Sequence, residues 1–295
     1  MDKKTVVCFG EVLWDVLPTG KIAGGAPMNV AYHLNNFGIR SLMVSKVGAD
    51  DRGAELPAFL AAKGISTELI QKDYTFPTGT VNVLFDEKGS PSYDIVQPVA
   101  WDYIHLNDRV LAAVRQCDLL VFGSLAARNE TSRKTLLALL DPAPLKVFDV
   151  NLRPPFYTRD LLENLLGKAD IVKMNDEELD VIAGWNTSST DERTKLETVK
   201  SQFALRAILM TKGKDGAVYL DDDGLHTQGG FPVQAQDTIG SGDSFLAGFI
   251  SQLLAGKAPQ ECLAFACATG ALAATYRGGT PEIDEKRVRT FIRDQ

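Results

Sequence analysis

The sequence predicts an α/β fold: a mostly parallel central sheet with helices between its strands, and a small β-sheet set apart from it. Three observations lead there. Short apolar runs alternate with helix-like segments along most of the chain, the pattern of βαβ units. Residues 78–97 interrupt that alternation with a polar turn between two β-rich runs. The closing segments, 242–255, 259–275 and 284–293, are helical in composition.

Taken in order, Val6–Phe9 is an apolar strand that runs into a loop at Gly10-Glu11. Residues 11–18 mix alternation with two acids, and 20–25 are turn-like. Ala26-Pro27 opens a helix carrying Val30, Ala31, Leu34 and Phe37 at helical spacing, with Gly38 as its stop. Leu42–Val47 is a second strand. Asp50 or Asp51 caps the next helix, which bears Leu56, Phe59 and Leu60 and ends at Gly64. Thr78–Phe85, the turn Asp86–Gly89 and Ser92–Val96 form an antiparallel hairpin whose alternation implies one wet and one covered face. It joins residues 12–25 in the small sheet. Strands at 119–122, 146–150, 171–174 and 207–211 then alternate with helices near 108–115, 131–140, 158–166, 176–183 and 191–203. A hairpin follows from Ala217–Leu220, turning at Asp221–Gly224.

A chain of 295 residues suits one large α/β domain or two ordinary ones, and 45% hydrophobic with 23% charged residues is a globular composition. The net charge is −7, the pI is near 5.1, and no block of Lys or Arg offers a nucleic-acid surface. No stretch has the length of a membrane span, and the apolar run up to Phe9 is too short for a signal sequence. Cys8, Cys117, Cys262 and Cys267 lack a C-x-x-C pair and sit in apolar settings, as buried thiols of a reducing, cytoplasmic compartment do. His33, His105 and His226 show no metal-binding spacing.

The chemistry concentrates in Asp237-Thr238-Ile239-Gly240-Ser241-Gly242-Asp243. Two glycines around a serine, at the start of an apolar helix, leave backbone N–H groups bare for an anion such as a phosphate. A carboxylate there repels that anion. Asp243 is therefore either the acceptor of a proton from an attacking hydroxyl, or an acidic first-turn residue suited to the helix dipole. Ligands of open parallel sheets gather beyond the carboxyl ends of the strands. Those ends carry Asp15, then Asn151 and Arg153, then Asn175 and Glu178, then Thr211, Lys212 and Gly213. Arg153 could meet a phosphoryl group or pair with Asp149; Glu178 could belong to a site or to a solvated acidic run; Lys212 could reach phosphates or stay solvated. No P-loop, dinucleotide fingerprint or nucleophile elbow is present.

At these residues the chain resembles the PfkB, or ribokinase-like, carbohydrate kinases over essentially its full length. Gly24-Gly25-Ala26-Pro27-Met28-Asn29-Val30-Ala31 is similar to the N-terminal signature of that family, and Asp237–Asp243 to the C-terminal one. The segments 10–15 and 149–155 are most similar to fructokinases. The resemblance implies a three-layer α/β/α sandwich as a single domain over 1–295, with a β-lid from about 12–25 and 76–100. It implies an ATP-dependent kinase of a sugar hydroxyl, fructose first, with 2-keto-3-deoxygluconate, ribose or a nucleoside as alternatives. A non-catalytic sensor on the same scaffold is the rival of another class. The lid would exclude water from the reaction, and its free face would allow a homodimer.

By the same resemblance, Asp243 falls on the catalytic base and Gly240, Ser241 and Gly242 on the anion hole. Asp15, Gly24, Gly25, Asn29 and Arg153 fall on sugar contacts. Asn175, Thr211, Lys212, Gly213 and Cys267 fall in the ATP region. Asn175 and Glu178 match the N-x-x-E motif that organises Mg2+ through water, and Asp237 with the Ile239 carbonyl falls where many members bind K+. In that cation site, further carbonyls come from around Ala274, Arg277 and Gly279. The chain departs from the family where Ser241 replaces the common alanine and Cys267 an asparagine near the adenine. It also lacks the ribokinase glutamate near Ser124-Leu125, which moves the expectation from ribose toward fructose.

Overall fold

The computed structural model describes residues 3–18, 20–85 and 91–295. The chain opens with β1 (Thr5–Phe9), β2 (Leu13–Leu17), β3 (Gly20–Gly24), α1 (Ala26–Asn36), β4 (Arg40–Gly48), α2 (Asp51–Ala62) and β5 (Ile70–Asp73). It continues through β6 (Gly79–Phe85), β7 (Pro91–Ile95), α3 (Asp108–Gln116), β8 (Leu119–Gly123), α4 (Glu130–Leu140), β9 (Lys146–Asp149), α5 (Arg159–Leu166), β10 (Ile171–Asn175), α6 (Asp176–Ala183) and α7 (Glu192–Gln202). It closes with β11 (Ala207–Thr211), β12 (Ala217–Leu220), β13 (Leu225–Gln228), α8 (Ser241–Leu254), α9 (Pro259–Ala274) and α10 (Glu285–Arg293).

The nine-stranded sheet runs β13-β12-β11-β10-β9-β8-β1-β4-β5. It is parallel from β11 through β5, and only β12 and β13 run antiparallel. Alternate residues of each buried strand face opposite layers. Val7 and Phe9 join Leu120, Phe122, Phe148 and Val172 in a core shared with α3 to α7. Val6 and Cys8 join Val121, Val147 and Ile171 in a core shared with α1, α2, α8 and α9. Both faces are thus covered, which gives the three layers, and each fully buried Val, Leu or Phe side chain stabilises the fold by about 1.5–3 kcal/mol. Helices α8 and α9 pack on each other and on the sheet and are apolar nearly all round. Side-chain caps set many helix starts: Asp50 accepts from Gly53 N at 2.7 Å, and Asn107, Asn129, Thr158, Asn175, Asp191 and Asp284 act alike, each cap contributing about 1 kcal/mol.

The second sheet has the order β3-β2-β6-β7. Trp14 packs edge-on against Phe59 and donates from Nε1 to the Arg52 carbonyl at 3.1 Å, so one face of this sheet leans on α2. Asp15, in register with Ile22 and Val81, lies on the other face. Three expectations change. Residues 20–24 are a strand rather than a turn, paired along β2. Ile70–Asp73 is an added edge strand outside β4, unannounced because its residues are mostly polar. The turn expected at Asp86–Gly89 lies outside the described residues. Among the described residues, no helix is long and apolar enough to cross a membrane.

Candidate active site

The site forms where the carboxyl ends of β1, β9 and β10 meet the first turn of α8. Gly240, the residue before α8, has φ of 72°, a left-handed conformation that suits glycine. It also packs so tightly that a Cβ would stand 2.5 Å from the Gly279 Cα. Ser241 N donates to the Thr238 carbonyl at 3.2 Å, whereas the N–H groups of Gly242 and Asp243 find no acceptor among the described residues. These bare donors at the positive end of a buried helix form an anion cradle. The Ser241 hydroxyl points away, donating to the Gly270 carbonyl of α9 at 2.9 Å.

Asp243 is half-buried beside this cradle, and Asn29 of α1 donates to its Oδ2 at 2.8 Å. A Cβ on Gly279 would meet the Asn29 amide nitrogen at 2.7 Å, so the glycine makes room for the residue that holds the acid. Beneath lies a buried ion pair: Lys173 of β10 donates to Asp149 Oδ1 at 2.9 Å. A Cβ on Gly242 would come within 3.2 Å of the Lys173 ammonium nitrogen. Asp149 Oδ2 is buried without a hydrogen-bond partner. Burial, and then the Asp149 charge, push the Asp243 carboxyl up to about 6; Lys173, Asn29 and Arg153 oppose them.

Glu11 closes the neighbouring corner. Its Oε1 accepts from Ala26 N at 3.3 Å, and its Oε2 is buried without a partner. Burial pushes its carboxyl up to about 7, with the Asp243 charge adding to the rise. Gly25, at φ of 120°, turns against the Glu11 carbonyl, where no side chain would fit. Gly24 leaves the space taken by the Asp15 carboxyl, which burial raises to about 6.

Asn175 and Glu178 form a reciprocal cap on α6. Glu178 N donates to Asn175 Oδ1 at 2.7 Å, and Asn175 N to Glu178 Oε2 at 2.9 Å. Glu178 Oε1 also accepts from Leu152 N at 2.8 Å, so this side chain is buried and engaged rather than solvated. Burial raises its pKa and Lys173 opposes the rise. Arg153 is exposed and makes no pair with Asp149, because Lys173 occupies that role. Its guanidinium instead favours the charged forms of Asp243 and Glu11.

Asp237 ties a turn to the segment after α9: Oδ1 accepts from Ile239 N and Oδ2 from Gly278 N, both at 3.0 Å. The Ala274 carbonyl accepts from Gln236 N at 2.8 Å, and the Gly279 carbonyl lies 3.0 Å from His33 Nε2. Thr211 ends β11, next to Asn175 in the register. Gly213 is exposed, with open space around its α-carbon. Lys212 extends to Glu192 at 2.8 Å, away from the acid cluster. Cys267 is buried in the core along α9, its thiol pushed up to about 12 by burial. Sequence reasoning missed Glu11, Asp149 and Lys173 as members of the cluster. The available signal was a charge inside an apolar strand run, as in Ile171-Val172-Lys173-Met174, which requires a buried partner.

An acid beside a helix-start anion cradle, at the carboxyl ends of parallel strands, is the arrangement of a phosphoryl-transfer enzyme. The pattern of the pfkB family carbohydrate kinase matches residues 3–286. The chain belongs to this family, and so transfers a phosphoryl group to a sugar hydroxyl. Fructokinase-2 of Solanum habrochaites is 28% identical over 310 residues, covering 94% of this chain and 92% of that protein. The crystal structure of fructokinase with bound ATP from Xylella fastidiosa has a TM-score of 0.87 at 25% identity and covers 99% of both chains. A fructokinase from Vibrio cholerae, in a fructose, ADP and potassium ion bound form, has a TM-score of 0.83 at 23% identity over 98% of each chain, a likeness of fold.

Proposed function

We propose that this chain is an ATP-dependent fructokinase, in which Asp243 takes the proton of the sugar hydroxyl as its oxygen attacks the γ-phosphorus. The observation that carries this is Asp243 itself, held by Asn29 beside the free amides of the α8 start. Those amides would receive charge developing on the phosphoryl oxygens, and the exposed Arg153 would add a positive group. Fructose is supported by the named relatives. Asp15, with Gly24, Gly25 and Asn29, supplies the acceptors and amides that sugar hydroxyls need. Thr211, Gly213 and the wall of α9 around Cys267 would line the nucleotide, and Lys212 would reach it on release from Glu192.

Among the described residues, no group of three or more acidic, His or Cys side chains could hold a metal by itself. Mg2+ keeps several waters and binds chiefly through substrate phosphates. Glu178 and Asn175 would reach it through water, and the unpartnered Asp149 Oδ2 offers a further acceptor. When bound, Mg2+ supplies charge neutralisation across the phosphates. K+ would sit at the Asp237–Ile239 turn, where the Gly279 carbonyl keeps a second lone pair, while that of Ala274 already accepts from Gln236 N and Asp237 N.

The small sheet is the lid in this proposal, and a homodimer through it is supported by Ile22, 43% exposed there. Sedimentation at increasing concentration tests that assembly. A cytoplasmic location is supported by the buried free thiols Cys8, Cys117, Cys262 and Cys267.

The test is ADP release across fructose, 2-keto-3-deoxygluconate, ribose and nucleosides, beside thermal shifts with the same ligands. Fructose-dependent turnover is expected, and Asp243→Asn lowers it by about 10²–10⁴-fold while the protein stays folded. Turnover of another sugar alone replaces fructose. Binding without turnover makes the protein a sensor, and near-normal turnover by Asp243→Asn removes the base assignment.

A further inference from the structure

Four chain crossings join the small sheet to the body: residues 10–12 into β2, Gly25 out of β3, Thr78-Gly79 into β6 and Val96 out of β7. The last two converge on one buried side chain that the site described above does not use. Arg128 follows a short 3-10 turn after β8, and its side chain is 4% exposed. Its Nε donates to Asp102 Oδ1 at 2.7 Å, and its Nη2 donates to Asp102 Oδ2 at 2.9 Å and to the Val96 carbonyl at 2.8 Å. The guanidinium lies between two rings, 3.9 Å from the Trp101 centroid and 4.7 Å from that of Phe156. Asp102 also accepts from Val99 N at 3.0 Å.

The entering crossing meets the same group. Trp101 lies so close to Gly79 that any side chain there would collide with the indole nitrogen. Ala100 N donates to the Pro77 carbonyl at 2.8 Å, bonding the two crossings to each other. From this knot the connection to Asp15 is short. Val96 N donates to the Thr80 carbonyl at 3.1 Å. Thr80 and Val81 of β6 stand in register with Trp14 and Asp15 of β2. A planar fork stacked between rings fixes both direction and distance, which a lysine ammonium does not. Nη1 is buried without a hydrogen-bond partner among the described residues, an unmet donor beside the fork.

We propose that Arg128 is a positioning residue for phosphoryl transfer: through Val96 and Trp101 it holds the small sheet at the angle that sets Asp15 against the sugar. This rests on the sugar-kinase reading of the cleft. The nucleotide groups ride on the main sheet and α8, so a loosened knot affects the sugar half of the site and leaves the ATP half in place.

The experiment uses the full chain with Arg128→Lys, Arg128→Gln and Trp101→Phe. KM is measured for the sugar that the wild type turns over best and for ATP, along with kcat, sugar-free ADP release and Tm. Arg128→Lys keeps a charge for Asp102 but loses the fork. The expected result is a rise of about tenfold or more in sugar KM for both Arg128 variants, little change in ATP KM, and a larger sugar-free share of ADP release. Trp101→Phe keeps a ring under the guanidinium but loosens contact with Gly79, and shifts sugar KM the same way by a smaller factor. If the Arg128 variants do not fold, Trp101→Phe decides alone. Sugar KM within twofold of wild type in the folded variants, or equal changes in sugar and ATP KM, overturns the proposal. Absence of turnover by the wild type with every sugar removes the kinase reading and this proposal together, whereas an active wild type with unaltered variants removes this proposal only.

Discussion

Asp243 works in a conflict: the surroundings that suit a base are those that disfavour its charge. Its carboxyl titrates near 6, raised first by burial and then by Asp149. With the ionised form of Asp243 as the proposed proton acceptor, kcat/KM is expected to fall about tenfold per pH unit below about pH 6, measured with sugar limiting. The same shift has a stability counterpart. A raised carboxyl contributes stability that is fully present at low pH and lost as pH rises through about 6. Asp243→Asn is therefore expected to be more stable than wild type at pH 8, by at most about 3 kcal/mol, since the side chain is only half-buried. The gain shrinks as pH falls toward 4, which denaturant titrations at several pH values would show. The sequence disclosed Asp243, Gly240 and Gly242 because their meaning is local: a loop, a helix start and an acid lie within one turn. Lys173 and Asp149 were hidden because each acquires its role from a neighbouring strand. Arg128 was hidden because its partners, Asp102 and Val96, are joined to it only by the fold.

Between elements, the start of α8 depends on what packs behind it. Gly279→Ala would press on the Asn29 amide at 2.7 Å and move the group that holds Asp243. The expected outcome is a fall of tenfold or more in kcat with a smaller change in ATP KM, from steady-state kinetics. The reciprocal cap of α6 makes a separate prediction. Glu178 accepts from two backbone N–H groups, Leu152 and Asn175. Glu178→Gln replaces one acceptor with a donor, so chemical denaturation should show a loss of about 1–3 kcal/mol without Mg2+ present. Loss of activity with unaltered stability would restrict Glu178 to a metal role. Elements with a strong period or a buried apolar run, such as α1, β8 and α9, were legible from the chain alone. Edge strands were not: β5 is mixed in polarity, and β3 carries glycines at both ends that suggest a turn.

For the molecule as a whole, two sets of carboxyls pull stability in opposite directions. Glu11, Asp15 and Asp243 are raised to about 7, 6 and 6 by burial, so their contribution grows as pH falls from above 7 toward 4. Asp50, Asp73 and Asp118 are held below the usual carboxylate range by hydrogen bonds, together with Lys46 beside Asp73 and Lys4 beside Asp118. Their contribution is lost at pH values below that range. The ligand-free protein is therefore expected to melt highest between about pH 4 and 6. A melting temperature that climbs steadily from pH 5 to 8 would contradict that. The layered architecture was legible as a whole, because alternating strands and helices admit few other solutions. How the small sheet is carried was not, since its contacts with the body, Trp14 against α2 and Trp101 with Arg128 and Asp102 near Gly79 and Val96, follow no periodic pattern.

The contact between Asn29 and Asp243 spans 214 positions. A ribosome that has released the first two hundred residues has already made every parallel strand but one, β11, yet no acid has emerged for Asn29 to grip. With Asp243 as the proposed base, an unfinished polypeptide has no group to deprotonate the sugar until α8 has emerged and met α1.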